Sequence, residues 1–335
     1  MGGIIFAKNS GLNDDLWKVN DQIVRAVLQD TDNEKNNDDE LVNAIYNVEK
    51  SDKFGEKISS LTEMGNFDIV DEGDAGVQDE IQQGFSKLIV HKQFMKGFTC
   101  TAEMNEDGDI NSMKVAAANY MRAYKRTRAQ FASDALTTEG ASFVFGGKTL
   151  DKTTGDNKGL FATDHPYAKG TISGTQSNVY TAAFGADSTN LNKLANIGRN
   201  FKNASGNVMG YTFDTIIIPG DCPVLEDTIR KVIKSDLTVG SNYNDINTQK
   251  GLWKLIVDHR WTTGGASSPY ILMSSEANKE LQAAMFYDRI PLTIKDWVDN
   301  KTANLEFMGR ARMSAGFNNW QAFIMGGASN GSPLS

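Results

Sequence analysis

The stretch "NSMKVAAANYMRAYKRTRAQFASDALTTE", residues Asn111 to Glu139, decides the fold. Met113, Ala117, Tyr120, Tyr124, Phe131 and Ala135 recur at helical spacing and fall on one stripe. No proline or glycine interrupts them, so the spacing predicts one helix, roughly 40 Å long at 1.5 Å per residue. Few domains need so long a helix unless it is a backbone for something else. Its other side carries Lys114, Arg122, Lys125 and Arg126, with Arg128 at the border, and no acidic residue interrupts Met113 to Ala129. A solvated face and a nucleic-acid contact are both consistent with that pattern.

On the C-terminal side, "ASFVFGGKTL" (141–150) ends like a phosphate-binding loop at Gly147, Lys148 and Thr149. Ser142 stands where that pattern requires its first glycine, and the residues that should open a helix read "LDKTTGDNKG", so a β-turn is expected instead. Further on, "GLFATDHPYAKG" (159–170) sets Asp164 beside His165. Pro166 pushes the preceding residue to extended geometry, where neighbouring side chains point apart. The pair is therefore a poor catalytic dyad, and His165 is expected to be a hydrogen-bonded structural residue.

On the N-terminal side, Phe67 to Met104 reads as strand-like runs, "FDIV", "FSKLIVHKQF" and "GFTCTAEM", punctuated by glycine, which suggests an extended hairpin. Its first half holds Asp68, Asp71, Glu72, Asp74, Asp79 and Glu80 and no basic residue: a solvated loop or a surface for a partner. Before it, Leu12, Leu16, Val19, Ile23 and Val27 mark one helix and Leu41, Ile45 and Val48 a second, together an arm. From about Thr181 to Trp297 the chain alternates. "NLNKLANIGRNFKN", "CPVLEDTIRKVIKSDL" and "SSEANKELQAAMFYD" read as helices, and "DTIIIPG", "LWKLIVD" and "PYILMSS" as strands. "LEFMGRARMSAGFNNWQAFIMGG" is strand-like again.

The composition is that of a folded chain: 335 residues, 40% hydrophobic and 23% charged. The net charge of −8 disfavours nonspecific wrapping of nucleic acid by the whole surface. No apolar run is long enough for a membrane helix, and "MGGIIFAKNSG" is too short a patch for a secretory signal, so no membrane role is expected. Cys100 and Cys222 are far apart and outside any Cys-x-x-Cys, which suggests neither zinc nor a disulfide framework. His91, His165 and His259 share no local metal-ligand spacing, and G-x-S-x-G does not occur. No enzyme, cofactor or metal is expected.

Taken in order, the extended loop, "FSKLIVHKQFMKGFTCTAEMNEDG", the long helix, "GLFATDHPYAKGTISGTQSN" and "RARMSAGFNNWQAF" resemble the major capsid proteins of tailed bacteriophages with the Hong Kong 97-like fold, nearest to the Mu-like head subunits. The resemblance runs from about Phe67 to Phe323; the α/β middle matches only in pattern. It implies an α+β chain with an N-terminal arm at 1–62, an extended loop at 63–96 and a peripheral domain at 97–180 joined by 298–335. Residues 111–139 would be its spine helix and 181–297 an α/β axial domain.

It also implies a head subunit that assembles as hexamers and pentamers into an icosahedral shell around double-stranded DNA, in a virion put together in the bacterial host cytoplasm. Implied partners are copies of itself, a portal protein, a decoration protein in some relatives, and packaged DNA on the inner surface. With only some sixty residues before the loop, a separate scaffolding protein is expected, and N-terminal processing is not. Relatives lay this loop across a neighbour's peripheral domain, so Asp68, Asp71, Glu72, Asp74, Asp79 and Glu80 are expected to meet Lys114, Arg122, Lys125 and Arg126. Lys87, Lys92 and Lys96 give no basis for the cross-links one branch of the family makes. An encapsulin-like compartment and a soluble hydrolase using Asp164 and His165 are the rival readings.

Overall fold

The structure, a computed structural model, describes residues 4–6, 17–61, 66–67, 69–73, 75–76, 78, 83–167, 172–185, 187–239, 246–264 and 269–334, with only the backbone of residues 18, 19 and 61. In chain order these form β1 (Ile5–Phe6), α1 (Lys18–Asn33), α2 (Asn37–Ile45), β2 (Asn47–Lys50), β3 (Gly55–Leu61), β4 (Gln83–Val90), β5 (Lys92–Cys100), α3 (Ala102–Glu106) and α4 (Ile110–Thr137). Then follow β6 (Ser142–Phe145), β7 (Lys148–Asp151), β8 (His165–Pro166), β9 (Thr175–Gln176), α5 (Thr189–Arg199), β10 (Thr215–Pro219), α6 (Pro223–Lys234) and β11 (Lys254–Asp258). The chain closes with β12 (Tyr270–Met273), α7 (Ser275–Glu280), β13 (Ala284–Val298), β14 (Leu305–Phe317) and β15 (Phe323–Gly326).

Helix ends follow local chemistry. The side chain of Asp109 accepts from Ser112 N at 3.1 Å at the start of α4, and Gly140 at φ +89° lies just past its end. Asn36, Thr101 and Ser274 accept from backbone N–H groups at the starts of α2, α3 and α7, and Pro223 opens α6 where a missing donor costs nothing.

Two compact units form: Met1–Glu56, Ile89–Ala132 and Phe286–Ala315 make the first, and Lys57–Leu88, Ser133–Met285 and Gly316–Ser335 the second. In the first unit the sheet runs β1-β13-β14-β5, with β2 also on β13. β1 is parallel to β13 (Ile5 opposite Thr293), and β14 is antiparallel to β5, from Leu305 opposite Cys100 to Met313 opposite Lys92. Alternate residues of β14, Leu305, Phe307, Gly309, Ala311 and Met313, are buried, the period-2 pattern of a sheet with one covered face. Met113, Ala117, Tyr120 and Met121 of α4 and Val24 and Leu28 of α1 pack on it, and Phe98 stacks on Phe307 at 4.7 Å. Gly309 is required: a Cβ there would collide with the Tyr120 hydroxyl, which donates to Lys96 O at 2.9 Å.

In the second unit the sheet order is β11-β10-β12-β15, with β10 parallel to β11 and antiparallel to β12, and β12 antiparallel to β15. Every residue of β10, β12 and β15 is buried, so these strands read as continuous apolar runs. Leu191 and Leu194 of α5 and Leu225, Ile229 and Val232 of α6 are buried as well. Three two-stranded hairpins complete the unit: β3–β4, β6–β7 and β8–β9. Gly146 and Gly147, at φ +56° and +75°, make the β6–β7 turn, so the segment that ends like a phosphate loop is a hairpin.

Two local expectations are corrected. "AAMFYD" is strand, not helix: α7 ends at Glu280, and Ala284 to Tyr287 are buried in β13. The hairpin expected over Phe67–Met104 is made by β3 with β4, while β5 joins β14 in the larger sheet and Ala102–Glu106 is helical.

Candidate functional site

The Asp164–His165 pair is dissolved by the geometry. Asp164 is exposed and ion-paired with Lys158, whereas His165 is fully buried, its Nδ1 2.7 Å from Asp156 Oδ2 and its Nε2 3.2 Å from Asn178 Oδ1. The Asn178 amide donates to Leu160 O and Phe323 O at 2.8 and 3.1 Å, so its oxygen is the atom that faces the ring. Trp320 stacks on the imidazole at 4.3 Å. Burial works against a charge on Asp156, but hydrogen bonds from His165 and Thr154 outweigh it and hold its carboxyl below the usual carboxylate range. A histidine with both nitrogens occupied and one face covered has nothing left to offer a substrate. It pins the 154–166 loops to Asn178 and, through that amide, to β15.

A second buried histidine is also a pin. His91, at the junction of β4 and β5, meets Ser51 Oγ at 3.0 Å through Nε2 and Ser314 Oγ at 2.9 Å through Nδ1, and Ser51 in turn donates to Glu56 Oε1. Burial, then the nearby Arg312 charge, push its pKa below the ordinary histidine value. Lys152 is buried too, donating to Thr138 O and Leu136 O at the C-terminal end of α4, and burial pushes its amine down to about 7.

Among the described residues no group of three or more His, Cys, Asp or Glu could hold a metal ion, and no helix is long and apolar enough to cross a membrane.

The charged residues singled out by sequence divide into three sets. Asp68, Asp74, Asp79 and Glu80 lie outside the described residues. Asp71 and Glu72 are exposed in the loop between β3 and β4, and Lys114, Arg122 and Arg126 are exposed on α4. Lys125 is a correction: it is 3% exposed, donates at 2.8 Å to the carbonyls of Asp32 and Glu34, and lies 3.5 Å from the Asp39 carboxylate. The end of α1 leaves carbonyls without helical partners, and the ammonium satisfies them. Arg128 is likewise buried, on Asp288 at 2.8 Å and over the Phe286 ring at 4.8 Å. The exposed cations expected on α4 therefore reduce to Lys114, Arg122 and Arg126.

Sequence reasoning passed over two features. In the β3–β4 loop, Phe67 and Ile69 are 103% and 100% exposed, with Val70 half exposed beside them. In the first unit a cavity of about 120 Å³ opens between α4 and β5, walled by Phe94, Tyr120, Ala123, Tyr124, Leu292 and Ala311 with Lys96 among its lining. The only signal for the first was "FDIV" among acids; the second arises where β5 and α4 meet and has none.

No protein-family model matches this chain, nor does any curated protein. Solved structures do. A chain of Mycobacterium phage Patience superposes with a TM-score of 0.54 at 11% identity, over 100% of this chain and 95% of that one. The capsid of a native GTA particle gives 0.51 at 12% identity, covering 85% and 88% of the two chains, and the capsid of Myoviridae phage XM1 gives 0.50 at 12%, covering 84% and 88%. The fold is the α+β Hong Kong 97-like capsid fold.

Proposed function

We propose that this chain is a major capsid protein, a structural subunit that assembles as hexamers and pentamers into an icosahedral shell enclosing the double-stranded DNA of a tailed phage or prophage. The observation that carries this reading is the breadth of the fold likeness: all of this chain aligned with 95% of a phage chain, and most of it with two capsids. Large apolar side chains left bare on a hairpin loop fit a subunit whose surfaces are completed by other copies. In this reading the arm is 1–62, the extended loop 63–96, the peripheral domain 97–180 with 298–335, and the axial domain 181–297. A separate scaffolding protein, a portal and, where present, a decoration protein would join the shell, and DNA would line it, in a virion assembled in the host cytoplasm.

Negative-stain microscopy of the purified protein, with and without its genomic neighbours, tests the reading. Shells, tubes or rings of five and six support it, and a persistent monomer refutes it. An encapsulin-like compartment would give closed shells that package protein in place of double-stranded DNA, so nuclease-protected DNA in particles from infected or induced cells separates the two.

A further inference from the structure

We propose that Phe67 and Ile69 of one copy plug the cavity between α4 and β5 of a second copy, with Asp71 and Glu72 meeting the cations at its rim. The proposal rests on the shell-subunit reading and adds to it the anchor of one contact. Phe67 and Ile69 sit wholly in water, which an apolar side chain leaves for any dry site that fits it. The cavity holds about 120 Å³ and is walled mainly by apolar and aromatic side chains. An apolar void of about 150 Å³ is enough to bind benzene, so this one suits a single ring or branched side chain entering from its open side.

Charge gives the direction of approach. Lys96 belongs to the lining, and Arg126 follows Ala123 by three residues on α4, so its exposed side chain borders the mouth, with Arg122 one turn before it. Asp71 and Glu72 follow Phe67 by four and five residues, a reach of about 13–17 Å in extended chain. A carboxylate can therefore lie on the rim while the ring is inside. Lys114, nine residues before Ala123, is half a turn away around the helix and takes no part.

The occupant is a second copy because the polypeptide carries both halves of the contact at different places. Plug and socket on one chain make a head-to-tail interface, the kind that closes into rings. The acidic, apolar loop also suits this rim better than the surface of a chain whose net charge is −8.

The test uses the full chain under conditions where the unaltered protein forms shells. Phe67→Ala/Ile69→Ala removes the plug without touching a buried residue, and should raise the concentration needed for assembly about ten-fold or more. Ala123→Trp fills the socket and should do the same. In Phe67→Cys/Ala123→Cys, oxidised shells should run as a ladder of linked chains on a non-reducing gel and collapse to monomer with reductant; native Cys100 and Cys222 are buried. Shells that form at the ordinary concentration from the double-alanine variant and give no ladder would overturn the plug while leaving the shell reading intact. A bond formed only within single chains would overturn it as well. If the unaltered protein forms no shells, the reading beneath the proposal fails first.

Discussion

Replacing Lys125 by methionine separates a structural cation from an assembly cation. The change keeps most of the stem and removes an ammonium that donates at 2.8 Å to two carbonyls and lies 3.5 Å from Asp39, itself only 6% exposed. Charged hydrogen bonds contribute about 1.5–3 kcal/mol each, and removing one partner of a buried ion pair costs about 3–5 kcal/mol. These figures overlap, because Asp39 can take a proton once its counter-charge is gone. The expected loss at neutral pH is therefore about 3 kcal/mol, read by urea denaturation of the unassembled protein. Burial already holds the Asp39 carboxyl above the usual range, with Lys125 and Arg128 pulling it back. Its folded form thus binds a proton more readily than the unfolded chain, and acid favours the folded state at this site. Without Lys125 that preference grows, so the penalty should shrink as the pH is lowered from 7 toward 5. Arg122→Glu, on the exposed face, should shift stability by less than about 0.5 kcal/mol. A Lys125→Met loss below 1 kcal/mol, or one independent of pH, would refute this account.

Gly309→Ala should cost about 2 kcal/mol by urea denaturation, since the new methyl meets the Tyr120 hydroxyl and must break its bond to Lys96 O; Gly97→Ala would instead press on Phe307 O across the same strand pair. Asp156, held below the usual carboxylate range, contributes stability that is complete above the unfolded value near 4 and is lost as the pH falls through its folded value. Asp156→Asn should flatten that acid limb in denaturation curves taken from pH 2 to 7. His91, whose pKa is pushed down, binds protons less readily folded than unfolded, so its contribution is present above about 6.5 and lost as the pH falls from there through its folded value. His91→Gln should remove this step between pH 7 and 5, which thermal melts at fixed ionic strength would report.

What the sequence made legible was whatever short-range spacing controls. The long helix was expected over 111–139 and spans Ile110–Thr137, because some eight turns without glycine or proline leave little alternative. "DTIIIPG" is a wholly buried strand, and Pro223 opens a helix, as their residue types imply. Lys125 was misplaced because eleven residues from Lys114 is almost three whole turns, which puts both on one side of the helix. What parts them is the end of α1, which reaches Lys125 and leaves Lys114 exposed. "AAMFYD" deceived for a related reason: a short buried apolar run has no period that distinguishes helix from strand. The partner of His165 is Asp156, nine residues upstream, and the neighbouring Asp164 faces water instead. The cavity beside Tyr120 exists only after β5 has paired with β14, so no local pattern could announce it.

The outer strand of the second unit has a consequence in time. β15, Phe323–Gly326, pairs with β12 some fifty residues earlier, and Phe323 O accepts from the Asn178 amide that also holds His165. Synthesis runs from the N-terminus at about 5–20 residues per second. A ribosome must therefore carry both the strand and its tail clear of the exit tunnel before this sheet can close, so for several seconds each chain has its loop and long helix but an open sheet edge. A nascent chain in that interval presents unpaired backbone beside other copies made on the same message. Pausing translation before codon 323 should therefore favour aggregates over shells, and the last few residues to emerge act as the signal that a subunit is ready to be used.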